Sequence, residues 1–406
     1  MGFLRILPLG LSIALSLFGD LSLFAGLVTQ LQVVHLSLAE VGVILSVHRL
    51  VRIPGNLAVG YFQDRLGRRR LIVLGMLLAV ISTAGYGLVT GFWPFVLMRV
   101  LWGMAWALLN VCGTTLVLDM STNRDRGSLT GFFSAWIWVG YAIGPLVGGL
   151  LTDALSFQRS MIICSGLTAI GLLVSIFFVH APRIAPAAAP QKFHLFDIFR
   201  QSLDFRRNPP ILNRTLLAFV VVQFAGDGVL MATLTLLLAD RLGPVIALGS
   251  LHLSAGAAGG IFIAGRAVLA GLVGLVAGRL SDSFISRPRL VKLGLAIAAT
   301  GMGVLVLADS LPWILLGLGI SSLSSGILLS ILPALVRDHT SLEDLGRSMG
   351  AYAMIGDIGS TAGPAVAFAL APLVGLAPTY GLCLALFTGA FLFFKGGAGR
   401  IQFLAK

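Results

Sequence analysis

The 406-residue chain is 57% hydrophobic and 11% charged, with a mean hydropathy of +0.98. A soluble domain carries about a quarter charged residues, so these proportions exclude an ordinary water-soluble fold and point to a chain solvated by lipid. The net charge of +12 would suit nucleic acid, but the bases fall in short loops between apolar runs, where they act as an orientation signal and not as a nucleic-acid footprint.

Twelve apolar segments follow one another, over 7–33, 39–63, 70–89, 93–120, 127–152, 159–180, 213–240, 255–281, 289–309, 312–336, 347–370 and 373–395. Each is long enough to cross about 30 Å of hydrocarbon. The first lacks a small-residue cleavage site and reads as a membrane helix, not a removed leader. Arg159 and Arg241 alone fall in loops opposite the other basic ones, which predicts a multi-pass protein of a plasma or bacterial inner membrane with both termini cytoplasmic. Cys112, Cys164 and Cys383 are far apart in apolar segments, read as small buried hydrophobes, and no metal-ligand spacing is present.

The long polar interruption, 181–212, opens with Ala181-Pro182-Arg183 and two further prolines, Pro186 and Pro190, which cannot continue a helix. Within it, Leu195, Phe196, Phe199 and Leu203 share one helical face and His194, Asp197, Gln201 and Asp204 another. The pattern suits either an amphipathic helix on the inner leaflet or a plain linker. The chain thus divides into residues 1–180, a linker at 181–212, and residues 213–406. The two halves repeat each other. A shift of 219 residues aligns Asp119 with Asp338, Gly140 with Gly359 and Gly144-Pro145 with Gly363-Pro364. A shift of 218 aligns Gly60 and Asp64 with Gly278 and Asp282, and one of 207 aligns Asp20 with Asp227.

Between the second and third segments runs Gly60-Tyr-Phe-Gln-Asp64-Arg65-Leu-Gly67-Arg68-Arg69-Arg70. A basic loop needs the arginines but not this spacing. It resembles the signature that the major facilitator superfamily of transporters carries between its second and third helices, with every signature position filled. Gly140-Tyr-Ala-Ile-Gly144-Pro145-Leu-Val-Gly148-Gly149 resembles the fifth-helix motif of that superfamily's proton-exchanging exporters. In physical terms, its small residues let helices approach closely and its proline bends the helix. Arg99-Val-Leu-Trp-Gly103 resembles the fourth-helix motif associated with proton transfer. The resemblance implies an all-α membrane protein of twelve transmembrane helices in two pseudo-symmetric six-helix bundles, with substrate bound between them near the midplane. It further implies that Asp64 latches the halves together on the inside, through Arg124 or Arg126 and the start of the eleventh helix. Asp282 is its counterpart in a basic cluster that is degenerate in the second half.

Charges inside apolar segments are the remaining candidates: Asp20, Asp227, Asp357, Arg49, Arg52, Arg99 and Arg266. Each costs about 2.5–3.5 kcal/mol at a lipid-facing helix centre, so they should face protein or water. They fall on the first, second, fourth, seventh, eighth and eleventh segments, the pattern of a central cavity. Asp20 and Asp227 are candidates for proton coupling, against the plainer reading of ion pairs with Arg49, Arg52 or Arg266. Asp357 is open between the two. His48 reads as a packing or hydrogen-bonding residue. Phe18, Gln30, Trp102, Trp106, Trp136, Trp138, Gln223 and Phe224 are further cavity candidates, suited to an amphipathic or cationic ligand.

The expected activity is alternating-access transport of a small molecule, with protons as co-substrate and the bilayer as solvent. Export of an amphipathic compound is preferred over import of an anionic metabolite or movement of lipid. The protein is expected to act as a monomer, without cofactor, metal or nucleic-acid partner. No nucleophile elbow, metalloprotease motif or phosphate loop is present, so an enzyme is not expected.

Overall fold

The computed structural model describes residues 2–122, 125–180, 208–248, 251–340 and 345–394. The expected amphipathic helix in the linker and the Arg124 side of the latch lie outside the described residues, as do the side chains of Asp64 and Arg126.

Twelve long helices succeed one another: α1 (Gly2–Gly26), α2 (Leu38–Leu66), α3 (Arg68–Leu88), α4 (Phe92–Met120), α5 (Arg126–Ala154), α6 (Phe157–Phe178), α7 (Pro210–Leu242), α8 (Ala255–Ser283), α9 (Arg287–Leu307), α10 (Leu311–Asp338), α11 (Leu345–Val374) and α12 (Leu376–Phe393). Eleven are apolar enough to cross a membrane by composition alone. The exception, α2, has 29 residues, about 43 Å of helix. Glu40, Arg49, Arg52, Asp64 and Arg65 dilute its apolar content. The helix nonetheless packs on α4 and α11, and Arg49 and Arg52 find protein partners there.

Local chemistry fixes the helix ends. Ser37 and Glu40 form a capping box at the start of α2: the Ser37 amide donates to Glu40 Oε2 at 2.7 Å and the Glu40 amide to Ser37 Oγ at 3.3 Å, satisfying two otherwise orphaned donors. Gly67 joins α2 to α3 at φ +83°, a left-handed geometry that glycine adopts without Cβ strain. An antiparallel hairpin, β1 (Val245–Leu248) and β2 (Leu251–Ser254), links α7 to α8. It is a small departure from the expected loop.

In the first half α1 packs on α5 and α6, α3 on α4 and α6, and α2 on α4. In the second, α9 packs on α10 and α12, α8 on α10, and α11 on α7. The halves meet through α5 with α8 and through α2 with α11. These contacts lie towards the end of the bundle opposite the N-terminus. There a Cβ on Gly260 would stand 2.2 Å from the Pro145 carbonyl oxygen, and one on Gly42 would stand 2.9 Å from that of Pro364. Asp153, at the end of α5, accepts hydrogen bonds from the Ser254 amide, at 3.1 Å, and from its hydroxyl. At the N-terminal end there is open space between helices: among the described residues nothing lies within 4 Å of the Cβ positions of Gly60, Gly131, Gly278 and Gly350. The molecule is closed at one end and open at the other.

Candidate substrate cavity and buried charges

Three different environments receive the seven intramembrane charges. The first is sealed inside the N-terminal half. Arg99, fully buried on α4, forms an ion pair with Asp20 of α1. It also donates from Nε to the Ile44 carbonyl at 3.1 Å, meets His48 Nδ1 at 2.9 Å, and lies 3.4 Å from the Tyr86 hydroxyl. Its guanidinium carbon stands 5.9 Å from the ring centres of Phe24 and Tyr86. One cation thereby ties α1, α2 and α3 to α4, with charge, hydrogen-bond and quadrupole compensation for its burial. Asp20 was expected to pair with Arg49, Arg52 or Arg266 if it paired at all. The structure gives it Arg99 instead, because α4 brings that residue to the α1 face which α2 and α3 also cover. His48 has the hydrogen-bonding role expected of it.

The second environment joins the halves. Arg52 of α2 pairs with Asp357 of α11 at 3.0 Å. Arg49, one turn earlier, donates to two backbone carbonyls of the other half, Asp227 at 3.0 Å and Ser360 at 2.8 Å. The Asp227 carbonyl is free for this because residues Gln223–Leu230 of α7 form wide π-helical turns. There the Met231 amide bonds to the carbonyls of Gly226 and Gly228, passing over that of Asp227. Such π-turns recur at functional sites. Glycines at 226 and 228 favour the departure, and Gly228 lies against Gly363 of α11.

The third environment is the cavity, about 370 Å³ in volume, between α5, α7, α8, α10 and α11. Asp227 and Arg266 line it together with Trp138, Tyr141, Phe219, Gln223 and Tyr352. Asp227 is within Coulombic range of Arg49, Arg266 and Tyr141, yet its carboxylate has no ion pair within 4 Å among the described residues. Arg266 donates to Ser325 Oγ at 3.1 Å, and its Nε is buried without a partner. A second space of about 580 Å³ continues from the cavity along α5, α8 and α10 towards the open end. Of the aromatic and amide candidates, Trp138 and Gln223 line the cavity. Trp102 and Trp106 are buried and stacked at 6.4 Å, and Trp136 packs over Gly10 of α1.

The arginine-rich turn braces each half internally. Arg68 pairs with Asp119 at the end of α4, and Arg69 donates to the Ile176 carbonyl of α6 at 2.5 Å. Arg65 lies over the Tyr61 ring at 4.9 Å. In the second half Arg287 bridges Asp338, at 2.5 and 2.6 Å, and Asp282, at 3.0 Å. The same 219-residue shift that aligns Asp119 with Asp338 carries Arg68 onto Arg287, so the second basic cluster keeps its structural member. Sequence reading missed this pair because Ser283-Phe-Ile-Ser286, between Asp282 and Arg287, breaks the pattern of the first-half cluster. Asp153 was missed as well; a lone acid at the far end of α5 was the available signal. Between α4 and α5, Asp125 accepts from the Thr122 hydroxyl and amide at 2.7 and 2.6 Å. These bonds hold its carboxyl below the usual range.

The α5 motif divides its contacts. Gly140, Gly144 and Gly148 face α1, where added Cβ atoms would come within 2.7 Å of Leu17, 2.9 Å of Leu21 and 2.2 Å of Ser22. Gly149 faces α8, 2.6 Å from the Gly256 carbonyl oxygen, and Pro145 turns its own carbonyl towards Gly260. The motif is the seam on which the closed end is built.

A sequence profile described as Major Facilitator Superfamily matches residues 9–273 and 242–397. The chain belongs to the major facilitator superfamily. Multidrug resistance protein 2 of Bacillus subtilis (strain 168) is 28% identical over 149 residues, 37% of each chain. The "Probable L-galactonate transporter" of Escherichia coli (strain K12) is 32% identical over 148 residues, 36% of this chain and 32% of the relative. The chain thus matches about a third of the length of these relatives. Among solved structures, a bacterial homologue of the human lysosomal transporter Spinster, inward-facing and occupied, superposes with a TM-score of 0.77 at 17% identity, covering 96% of this chain and 95% of that one. The nucleoside transporter NupG superposes with a TM-score of 0.78 at 15% identity, covering 96% and 98%. These likenesses carry the fold. The protein is a multi-pass membrane protein of this superfamily.

Proposed function

We propose that the protein moves an amphipathic small molecule across the membrane by alternating access, and that Asp227 couples the movement to protons. The observation that carries this reading is the cavity near mid-membrane, where an unpaired carboxylate and a partly satisfied guanidinium stand among aromatic side chains. A carboxylate outside any ion pair can exchange protons as its access to water changes. Asp20, paired with Arg99, serves here as the anchor of the N-terminal half.

In this reading residues 1–180 and 213–406 rock about the central site, joined by the 181–212 linker. The open, arginine-rich end faces the cytoplasm in accord with its excess of basic loops. The Arg52–Asp357 pair and the Asp153–Ser254 contact would break when the closed end opens, and the Asp64 latch would form on the other side. The direction we favour is export in exchange for protons. It rests on the likeness of the α5 motif to exporters and on the name of the multidrug-resistance relative, since the packing of the motif carries no direction. The protein would work as a monomer.

The test is internal pH in proteoliposomes carrying the unmodified protein or Asp227→Asn, challenged with cationic, anionic and lipid-like compounds. Substrate-driven proton movement in the unmodified protein, lost in Asp227→Asn at unchanged folding, is expected. Undiminished proton movement in the variant would remove Asp227 from the coupling step.

A further inference from the structure

We infer that the cavity takes an amphipathic organic anion, with its acidic group on Arg266 and its apolar body in the groove along α5, α8 and α10. The inference rests on the transport reading above and names its substrate class.

Charge accounting around the midplane gives the sign. Asp20 and Arg99 neutralise each other, as do Arg52 and Asp357. What remains is Asp227 against two guanidiniums, Arg49 and Arg266, both within its Coulombic range. A cation approaching Asp227 therefore meets two positive charges that already offset the acid, whereas an anion meets a surplus cation. The two arginines differ in capacity. Arg49 spends its terminal NH1 on two backbone carbonyls. Arg266 has one hydrogen bond among the described residues, to the Ser325 hydroxyl, and a buried Nε with no acceptor. A buried donor without an acceptor is destabilising. A carboxylate, sulfonate or phosphate oxygen set matches the planar fork of donors that a guanidinium offers and would relieve that cost.

Shape gives the second half of the ligand. Trp138, Tyr141, Phe219 and Tyr352 wall the cavity around this head site. The adjoining groove shares Ser134, Trp138, Ala267, Ala270 and Leu329 with the cavity, so the two spaces lie side by side on the same walls. No charged residue lines the groove. Val268, Leu272 and Leu275 stand in it with 53%, 58% and 67% of their surface exposed. Apolar burial there is favourable, so affinity should rise with the length of the apolar body.

The experiment uses the full chain in nanodiscs and three fluorescent probes: dansylaminoundecanoate, the same molecule ending in an ammonium group, and dansylglycine. Binding is read as energy transfer from tryptophan to dansyl, with Trp138→Phe identifying the donor. Dansylaminoundecanoate should bind at least about tenfold more tightly than either other probe, and Arg266→Gln should weaken it about tenfold or more. Arg266→Lys should recover part of the loss. Should Arg266→Gln fail to fold, the comparison of head groups on the unmodified protein still decides. Equal or tighter binding of the ammonium probe, unchanged affinity in a folded Arg266→Gln, or no binding of any probe would each overturn the head-group assignment. Equal binding of dansylglycine would overturn the groove. Proton movement in proteoliposomes separates the two proposals. Anion binding without coupled protons leaves the site standing and removes the coupling. Proton-coupled movement of cations alone does the reverse.

Discussion

Asp20 and Asp227 stand at equivalent places on α1 and α7, one shift of 207 residues apart, yet their surroundings are opposite. Asp20 is 4% exposed and held by a cation that four helices enclose. Asp227 sits in widened π-turns on a cavity wall, with its carboxylate unpaired and its carbonyl taken by Arg49 of the other half. The difference teaches that internal repetition sets positions, while neighbours set chemistry. The first half contributes a locked charge cluster and the second half an available one. A transporter gains from that asymmetry, because one half can remain rigid while the other responds to ligand.

The largest expected effect tests the locked side. Arg99→Leu strands Asp20 in an apolar interior and should cost about 3–5 kcal/mol, as for any buried pair with one partner removed. Thermal unfolding in detergent measures it, and the matching Arg266→Leu should cost far less, about 1 kcal/mol or under, because Arg266 has no ion pair to strand. A loss of similar size in both variants would break the comparison. Next in size is the seam of the closed end. Gly260→Leu places a side chain into the Pro145 carbonyl and should cost about 1–3 kcal/mol of packing. It should also shift the molecule towards opening at that end, read as faster labelling of Ala257→Cys, a position buried at the seam. Smaller again, the brace Arg68–Asp119 is more enclosed than its repeat Arg287–Asp338: side-chain exposures are 13% and 18% against 27% and 39%. Arg68→Ala should therefore cost about 1 kcal/mol and Arg287→Ala less than half of that, by chemical denaturation of the two variants side by side.

The smallest effect is a pH response outside the membrane. The Asp125 carboxyl is lowered in the folded state by Thr122. Its contribution is therefore present above the unfolded carboxylate range near 3.8 and fades as pH falls through the lower folded value. Thr122→Val should flatten the acid side of the stability profile at that loop, read as hydrogen exchange of the first turn of α5.

Spans and repeat were legible because lipid imposes length and hydropathy on each helix, and because duplicated halves keep aspartates and a Gly-Pro pair in step. Even α2, too charged to pass as a membrane span by composition, was readable from its flanking loops. Pairing was less legible. Arg99 was expected as a motif residue, and its partner could not be read from α4, because Asp20, His48 and Tyr86 come from three other helices at separations of 79, 51 and 13 residues. Arg49 was a candidate cavity charge; its bond to the Asp227 carbonyl depends on π-turns whose trace in sequence is a pair of glycines. Trp102 and Trp106 read as cavity aromatics; in the fold they stack on each other, with Arg52 5.9 Å from the Trp106 ring centre, a pairing that helical spacing alone does not specify.

By itself the sequence determined the solvent of this protein, the number and length of its membrane helices, their repeated order and the superfamily they belong to. Each of those follows from local composition and spacing, which the bilayer reads one segment at a time. Tertiary structure alone decided which charges cancel, which remain available, and which end of the molecule is shut. Those outcomes depend on distances of a few ångströms between helices far apart in the chain, where burial turns an unmatched charge from a cost into a binding site.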